Sequence, residues 1–301
     1  MIIIDGGMSR ELQRVGAPFR QPEWSALALM QSPQHVKQVH TEFAAAGADV
    51  ITTNSYALVP FHIGQARFEA EGAALATLAG QLARQAADAS PTPTLVAGSL
   101  PPIFGSYRPD LFNPDRAADY LAVLIAGLRP SVDLWLGETL SSLAEARTVL
   151  DLAKPNGKPV WISFTLMDES GALQYPPRLR SGETVAAAAS WAAEANINAI
   201  LFNCSQPEVM APAVATARQT FLASGCTTPI GVYANAFQAH NAEKANVDLT
   251  ALRPDLDPAS YCAWADRWVA AGATIIGGCC GIGVDHIRAL SRHVKKKDLL
   301  F

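Results

Sequence analysis

Ala273-Thr274-Ile275-Ile276-Gly277-Gly278-Cys279-Cys280-Gly281 is the stretch on which the reading of this 301-residue chain turns. Ala273 to Ile276 is short, apolar and β-branched, which predicts a buried strand, and the glycines end it. Neighbouring side chains on a strand point to opposite faces. Two adjacent cysteines can therefore aim at one point only if the strand stops and the backbone turns, and glycines tolerate the angles such a turn needs. A single metal ion held by both thiolates, with Cys204 as a third ligand, is the expectation that follows.

Outward from that stretch the chain alternates strand-like and helix-like segments. Strands are expected at 2–4, 49–53, 94–97, 132–136, 160–164, 199–202, 230–233 and 273–276. Helices are expected at 9–14, 32–46, 65–87, 114–128, 142–153, 183–195, 207–222, 259–270 and 284–294. Ser32-Pro33 shows the local logic, with a serine suited to the N-cap and a proline to the first helical turn. A polar loop is expected over 237–257. Eight strands, each followed by a helix and uncut by any linker, predict a single (β/α)8 barrel domain over residues 1–301. An open doubly wound sheet is the competing arrangement, and the first strand lacks the Gly-x-Gly-x-x-Gly turn of its dinucleotide-binding form.

Bulk properties narrow the function. Half of the residues are hydrophobic, and the formal charge is −4. The one basic run, His293-Val294-Lys295-Lys296-Lys297, reads as a solvated tail, so no nucleic-acid partner is expected. No apolar run reaches the ~20 residues of a membrane span. The N-terminus lacks the basic and apolar regions of a signal peptide. Five cysteines in a long chain argue against a disulfide scaffold, which leaves a reducing cytoplasm as the expected compartment.

A barrel carries its active site at the C-terminal ends of its strands. There the sequence places Asp5, Asn54, Ser99, Glu138, Thr165, Asn203, Cys204, Asn235, Cys279 and Cys280. Cys226 and Cys262 fall elsewhere and read as buried apolar residues. Three thiolates with an open fourth position form a catalytic pattern, and soft sulfur favours Zn2+ over magnesium or calcium. Such a site is a poor Lewis acid for carbonyls, yet it suits an incoming thiol whose pKa it lowers. A vicinal cysteine pair without metal is the alternative left open. Trp24, Tyr56, Phe104 and Tyr107 lie in loops able to reach the mouth, where aromatic faces attract cations. The six histidines are assigned no catalytic role.

Asp5-Gly6-Gly7-Met8, the run from Gly47 to Tyr56, Gly137-Glu138-Thr139, Phe202-Asn203-Cys204 and Gly277-Gly278-Cys279-Cys280-Gly281 together resemble the homocysteine S-methyltransferase family. The resemblance spans nearly the whole chain. It implies a zinc-dependent barrel moving a methyl group from S-methylmethionine or S-adenosylmethionine to homocysteine, giving methionine, with betaine an alternative donor. It also implies Cys204, Cys279 and Cys280 as zinc ligands, and Asp5 and Glu138 facing the substrate's amino group. Gly6-Gly7 backbone and Asn235 complete that pocket. A selenol such as selenocysteine is the alternative acceptor, and a non-catalytic zinc-binding barrel the remote one. The cobalamin-dependent relatives carry further domains, so a stand-alone enzyme is expected, either monomeric or homo-oligomeric. After the double cysteine, Gly281-Ile282-Gly283 departs from the polar stretch that many relatives carry.

Overall fold

The computed structural model describes residues 1–169, 171–237 and 252–298. Its centre is one sheet of eight parallel strands: β1 (Ile2–Ile3), β2 (Val50–Thr52), β3 (Leu95–Leu100), β4 (Leu134–Leu140), β5 (Val160–Phe164), β6 (Ala199–Asn203), β7 (Ile230–Tyr233) and β8 (Ile275–Ile276). Sequential strands pair from β2 to β8, and β8 pairs with β1. The parallel bridge from Ile4 to Val50, with the Asp5 amide donating to the Val50 carbonyl at 3.0 Å, closes the ring. The expected (β/α)8 barrel is what the chain forms.

Helices cover the outside: α1 (Met8–Arg14), α2 (Ser25–Gln31), α3 (Pro33–Ala45), α4 (Pro60–Ile63), α5 (Gln65–Asp88), α6 (Pro114–Leu128), α7 (Leu143–Ala153), α8 (Val185–Ala195), α9 (Pro207–Ser224), α10 (Pro258–Ala271) and α11 (Val284–Asp298). Side-chain N-caps begin several of them. Asn113, Ser142, Thr184 and Asp257 each accept an amide of the first turn through the side chain, satisfying a donor the helix leaves unpaired. Ser32 precedes Pro33 as expected, but its hydroxyl turns back to the Ala28 carbonyl at 3.4 Å, because α2 ends there. The helices α2 and α4 are too short to leave a periodic signal, and they stand where the sequence reading put loop. Much of the loop expected over 237–257 lies outside the described residues. Among the described residues no helix is long and apolar enough to cross a membrane.

Strand alternation separates two apolar layers. One phase points outward to the helices and joins the large core of Phe43, Trp135, Phe164, Phe202 and Trp268. The other fills the barrel with Ile4, Val50, Ala97, Leu134, Leu136, Trp161, Ala199, Leu201 and Ile275. Continued one step toward the C-terminal ends, the inward phase turns polar at Glu138, Ser163 and Asn203. That switch marks the floor of the site.

Candidate active site

The end of β8 is shaped by close approach more than by torsion. A Cβ on Gly277 would strike Ile4, and one on Gly278 would strike Ile282. On the facing segment a Cβ at Gly6 would strike the Ile282 carbonyl, and one at Gly7 would lie 2.6 Å from the Cys279 carbonyl. The glycines at the ends of β1 and β8 thus let two backbones touch, with the Gly278 amide donating to the Asp5 carbonyl at 3.0 Å. Only Gly281, at φ 81°, makes the left-handed turn foreseen for the glycines of this stretch. Ile282 is fully buried beneath them, so that departure from the usual stretch is a packing residue under the site.

The turn brings the three expected sulfurs together. Cys204 Sγ and Cys280 Sγ are 4.0 Å apart, as are Cys279 Sγ and Cys280 Sγ. All three lie within 4.8 Å of one another. Thiolates on one tetrahedral ion with metal–sulfur bonds of about 2.3 Å would sit about 3.8 Å apart. The donor set therefore fits a metal ion with little movement. Hydrogen bonds from the Cys279 and Cys280 thiols, then from Tyr107, with Arg180 nearby, hold the Cys204 thiol well below its ordinary pKa. The same sharing with Cys204 pushes Cys279 and Cys280 up. The sulfurs act as one anionic group.

Cys204 itself sits at φ 50°, and Thr139, beside Glu138, at φ 59°. Non-glycine residues in this region cost about 1–3 kcal/mol each and persist where their surroundings over-determine them. Asn203 is that surrounding structure: its Oδ1 accepts from the Thr139 amide at 2.9 Å and from Ser163 Oγ at 2.7 Å, and its Nδ2 donates to Thr139 Oγ1 at 2.8 Å.

Across the cavity stand two carboxylates. Asp5 accepts from the Thr52 amide at 2.7 Å and the Thr52 hydroxyl at 3.0 Å. Burial pushes its pKa up to about 8. Glu138 lies inside β4, next to a register shift between Gly137 and Leu140, rather than beyond the strand end as expected. Ser99, likewise inside β3, donates to one Glu138 oxygen, and Tyr233 Oη lies 3.5 Å from the other. Burial raises the Glu138 pKa to about 7.

One cavity of ≈ 200 Å³ joins both groups. Of the expected residues, Asp5, Gly6, Asn54, Glu138, Cys204, Asn235, Cys279 and Cys280 line it, together with Trp24, Tyr56 and Tyr107. Ser99, Thr165 and Asn203 stand behind the wall as supports. Phe104 is turned away, with its ring 5.5 Å from the Arg116 guanidinium and packed edge-on to Tyr120. Cys262 is buried as expected; Cys226 is only half-buried, its sulfur 3.1 Å from Thr228 Oγ1, because a thiol just before β7 sits on the outer rim. His62 lines the wall with Nδ1 3.1 Å from the Pro22 carbonyl, and burial lowers its pKa to about 4.

Sequence reading missed Thr52, Tyr233, Asp168 and Arg180. Tyr233 carried a usable signal, being inward-facing at a strand's C-terminal end. Asp168 and Arg180 carried none: they lie in the long connection from β5 to α8, where charges follow no period. They form a salt bridge of 2.7 Å with side chains 2% and 6% exposed.

A (β/α)8 barrel whose mouth sets a three-thiol cluster opposite a buried acidic pair presents a donor set that could bind a metal ion. The family model for homocysteine S-methyltransferase matches residues 2–294, and the chain belongs to that family, an enzyme family of methyltransferases. The chain is 29% identical to homocysteine S-methyltransferase YbgG of Bacillus subtilis, over 97% of this chain and 93% of that one. It is 27% identical to the selenocysteine methyltransferase of Astragalus bisulcatus, over 96% and 90%. The metallated form of the homocysteine methyltransferase MmuM from Escherichia coli superposes with a TM-score of 0.76 at 27% identity, over 97% of this chain and 96% of that one.

Proposed function

We propose that this chain transfers a methyl group from a small sulfonium donor, S-methylmethionine or S-adenosylmethionine, to the thiol of homocysteine, giving methionine. Cys204, Cys279 and Cys280 hold a zinc ion in this reading, and residues 1–301 act as one catalytic domain. The observation that carries it is the sharing of one cavity by three converging sulfurs and the Asp5–Glu138 pair. A bound zinc ion supplies Lewis acidity that keeps the acceptor's sulfur deprotonated near neutral pH.

The protein's own residues do the rest. Asp5 and Glu138 receive the acceptor's ammonium, whose charge draws both buried carboxyl groups into their ionised forms. Gly6-Gly7 backbone and Asn235 border the same end of the acceptor. Trp24 and Tyr56 offer aromatic faces to the cationic donor. In the transfer, a lone pair on the acceptor sulfur forms the new S–CH3 bond. The donor's S–CH3 bond breaks, and its electrons stay on the donor sulfur as a neutral thioether. The thiol proton leaves to solvent. Opposite charges are neutralised along the path, so alignment in a partly dry cavity does most of the work.

Selenocysteine is the second acceptor reading, favoured by the selenocysteine methyltransferase among the relatives. Free thiols at every cysteine suit a reducing compartment such as the cytoplasm. The test is a panel of homocysteine and selenocysteine against S-methylmethionine, S-adenosylmethionine and betaine, with methylated product followed by mass spectrometry. Methionine from homocysteine and a sulfonium donor is expected. Failure with every pair would overturn the assignment.

A further inference from the structure

Three segments converge behind Cys204. Tyr107, in the loop after β3, places its hydroxyl 2.7 Å from the Cys204 carbonyl oxygen and 3.1 Å from Cys204 Sγ. The Arg180 guanidinium covers the Tyr107 ring, 4.1 Å from its centroid. Arg180 is pinned by Asp168, whose other oxygen accepts the Gln206 amide at 3.1 Å, two residues past Cys204. The chain of contacts closes on itself: sulfur, phenol, guanidinium, carboxylate, and the backbone that carries the sulfur. Tyr107 sits at φ 63° and Cys204 at φ 50°, so both ends of the contact are held in backbone conformations that ordinary residues avoid. A tyrosine that only needed a partner for its hydroxyl could take the carbonyl alone, without reaching the sulfur.

We propose that Tyr107 is a positioning residue of the thiol cluster, its one hydroxyl proton shared between the Cys204 carbonyl oxygen and Cys204 Sγ while the buried Arg180–Asp168 pair locks and polarises the phenol. This rests on the metal-binding reading of Cys204, Cys279 and Cys280. A hydrogen bond to a ligand sulfur draws electron density off it, and such partners orient a metal's ligands and tune the ion. Three thiolates on a dication leave a net negative charge, which works against capture of a fourth, anionic sulfur. Tyr107, with the Arg180 guanidinium over its ring, offsets part of that charge at one ligand.

Tyr107→Phe removes the hydroxyl and keeps the ring under Arg180. The test uses full-length protein loaded with Co2+, read by its thiolate-to-cobalt charge-transfer absorption, beside zinc affinity from chelator competition. Without the hydrogen bond, the Cys204 sulfur donates more readily, and the band should move to longer wavelength. Zinc affinity should fall about tenfold. Arg180→Met, which keeps bulk and removes charge, should move the band in the same direction by less. A merely structural tyrosine would lower the unfolding temperature without moving the band. A Tyr107→Phe band coincident with that of the unsubstituted protein overturns the proposal alone. No thiolate band in the unsubstituted protein overturns both this proposal and the metal reading beneath it.

Discussion

The two sides of the cavity meet the same demand, a charged group in a nearly dry place, in opposite ways. On the sulfur side Cys204 already has a phenol donor, a stacked guanidinium and two thiol donors around it, and its proton affinity is lowered. On the carboxylate side Asp5 and Glu138 are held by the Thr52 amide and hydroxyl, Ser99 and Tyr233, all neutral, and their proton affinities are raised. One side is charged in advance, and the other waits for its cation. Desolvation acts on both; what differs is whether compensating charge was built into the fold.

Breaking the sulfur side should have the largest effect. Cys279→Ser replaces one thiolate with a poor zinc ligand, and metal content should fall from about one equivalent per chain to about a tenth of that. Elemental analysis of purified protein checks it, and undiminished zinc would refute the ligand set. Activity should fall in parallel, while the carboxylate side remains intact.

Substitution on the other side should separate binding from metal. Asp5→Asn copies the protonated acid, with Oδ1 accepting the Thr52 amide and the new Nδ2 donating to the Thr52 hydroxyl. Acceptor binding should weaken by about 30-fold or more, from the loss of one partner of a buried charge pair, at unchanged zinc. The substrate-free protein should gain stability at alkaline pH. Because the folded Asp5 pKa is raised to about 8 from 3.8, its contribution is full below about pH 4 and is lost as pH rises through 8. The asparagine escapes that loss, and at pH 8 should melt at a measurably higher temperature than the unsubstituted protein. Calorimetry and thermal unfolding read the two effects separately.

Titration sharpens the comparison further. Glu138, at about 7, takes up a proton as pH falls, so acceptor affinity should decline below pH 7, by at most about tenfold per pH unit for this one group. Binding of methionine, which carries the ammonium but has no thiol proton to lose, should release protons near pH 7, measurable as a dependence of the binding enthalpy on the buffer's ionisation heat. Equal enthalpies in all buffers would show both carboxyl groups ionised beforehand. Smallest of all, Cys226→Ala should leave metal content unchanged and alter stability by about 0.5 kcal/mol or less, as a half-buried rim residue. A loss of metal in that variant would mean that the cysteine's place in the fold had been misjudged.

Most of this contrast was legible in the amino-acid order. Strand rhythm implies the barrel, and position at strand ends implies Cys204, Cys279, Cys280 and Asp5. Glu138 and Ser99 were placed one step too far out, since the residues that end a strand by composition here continue its hydrogen bonding. Gly277 and Gly278 were read as turn residues, because sequence shows that a glycine is present but not whether torsion or proximity demands it. Asp168, Arg180 and the grip of Tyr107 on sulfur were beyond reach. They join loops far apart in the chain, and no periodicity links such residues in advance.

The glycine-rich seam where the segment after β1 meets the segment after β8 has a consequence for assembly. It joins the first strand to the last, so the contacts that shut the ring span almost the whole chain and carry a large loop-closure penalty. Asp5 and the vicinal thiols enter the mouth through that one joint. A growing polypeptide would keep Cys204 without its companions until the final strand had been made, and the ability to capture a metal would arise only when the ring shuts.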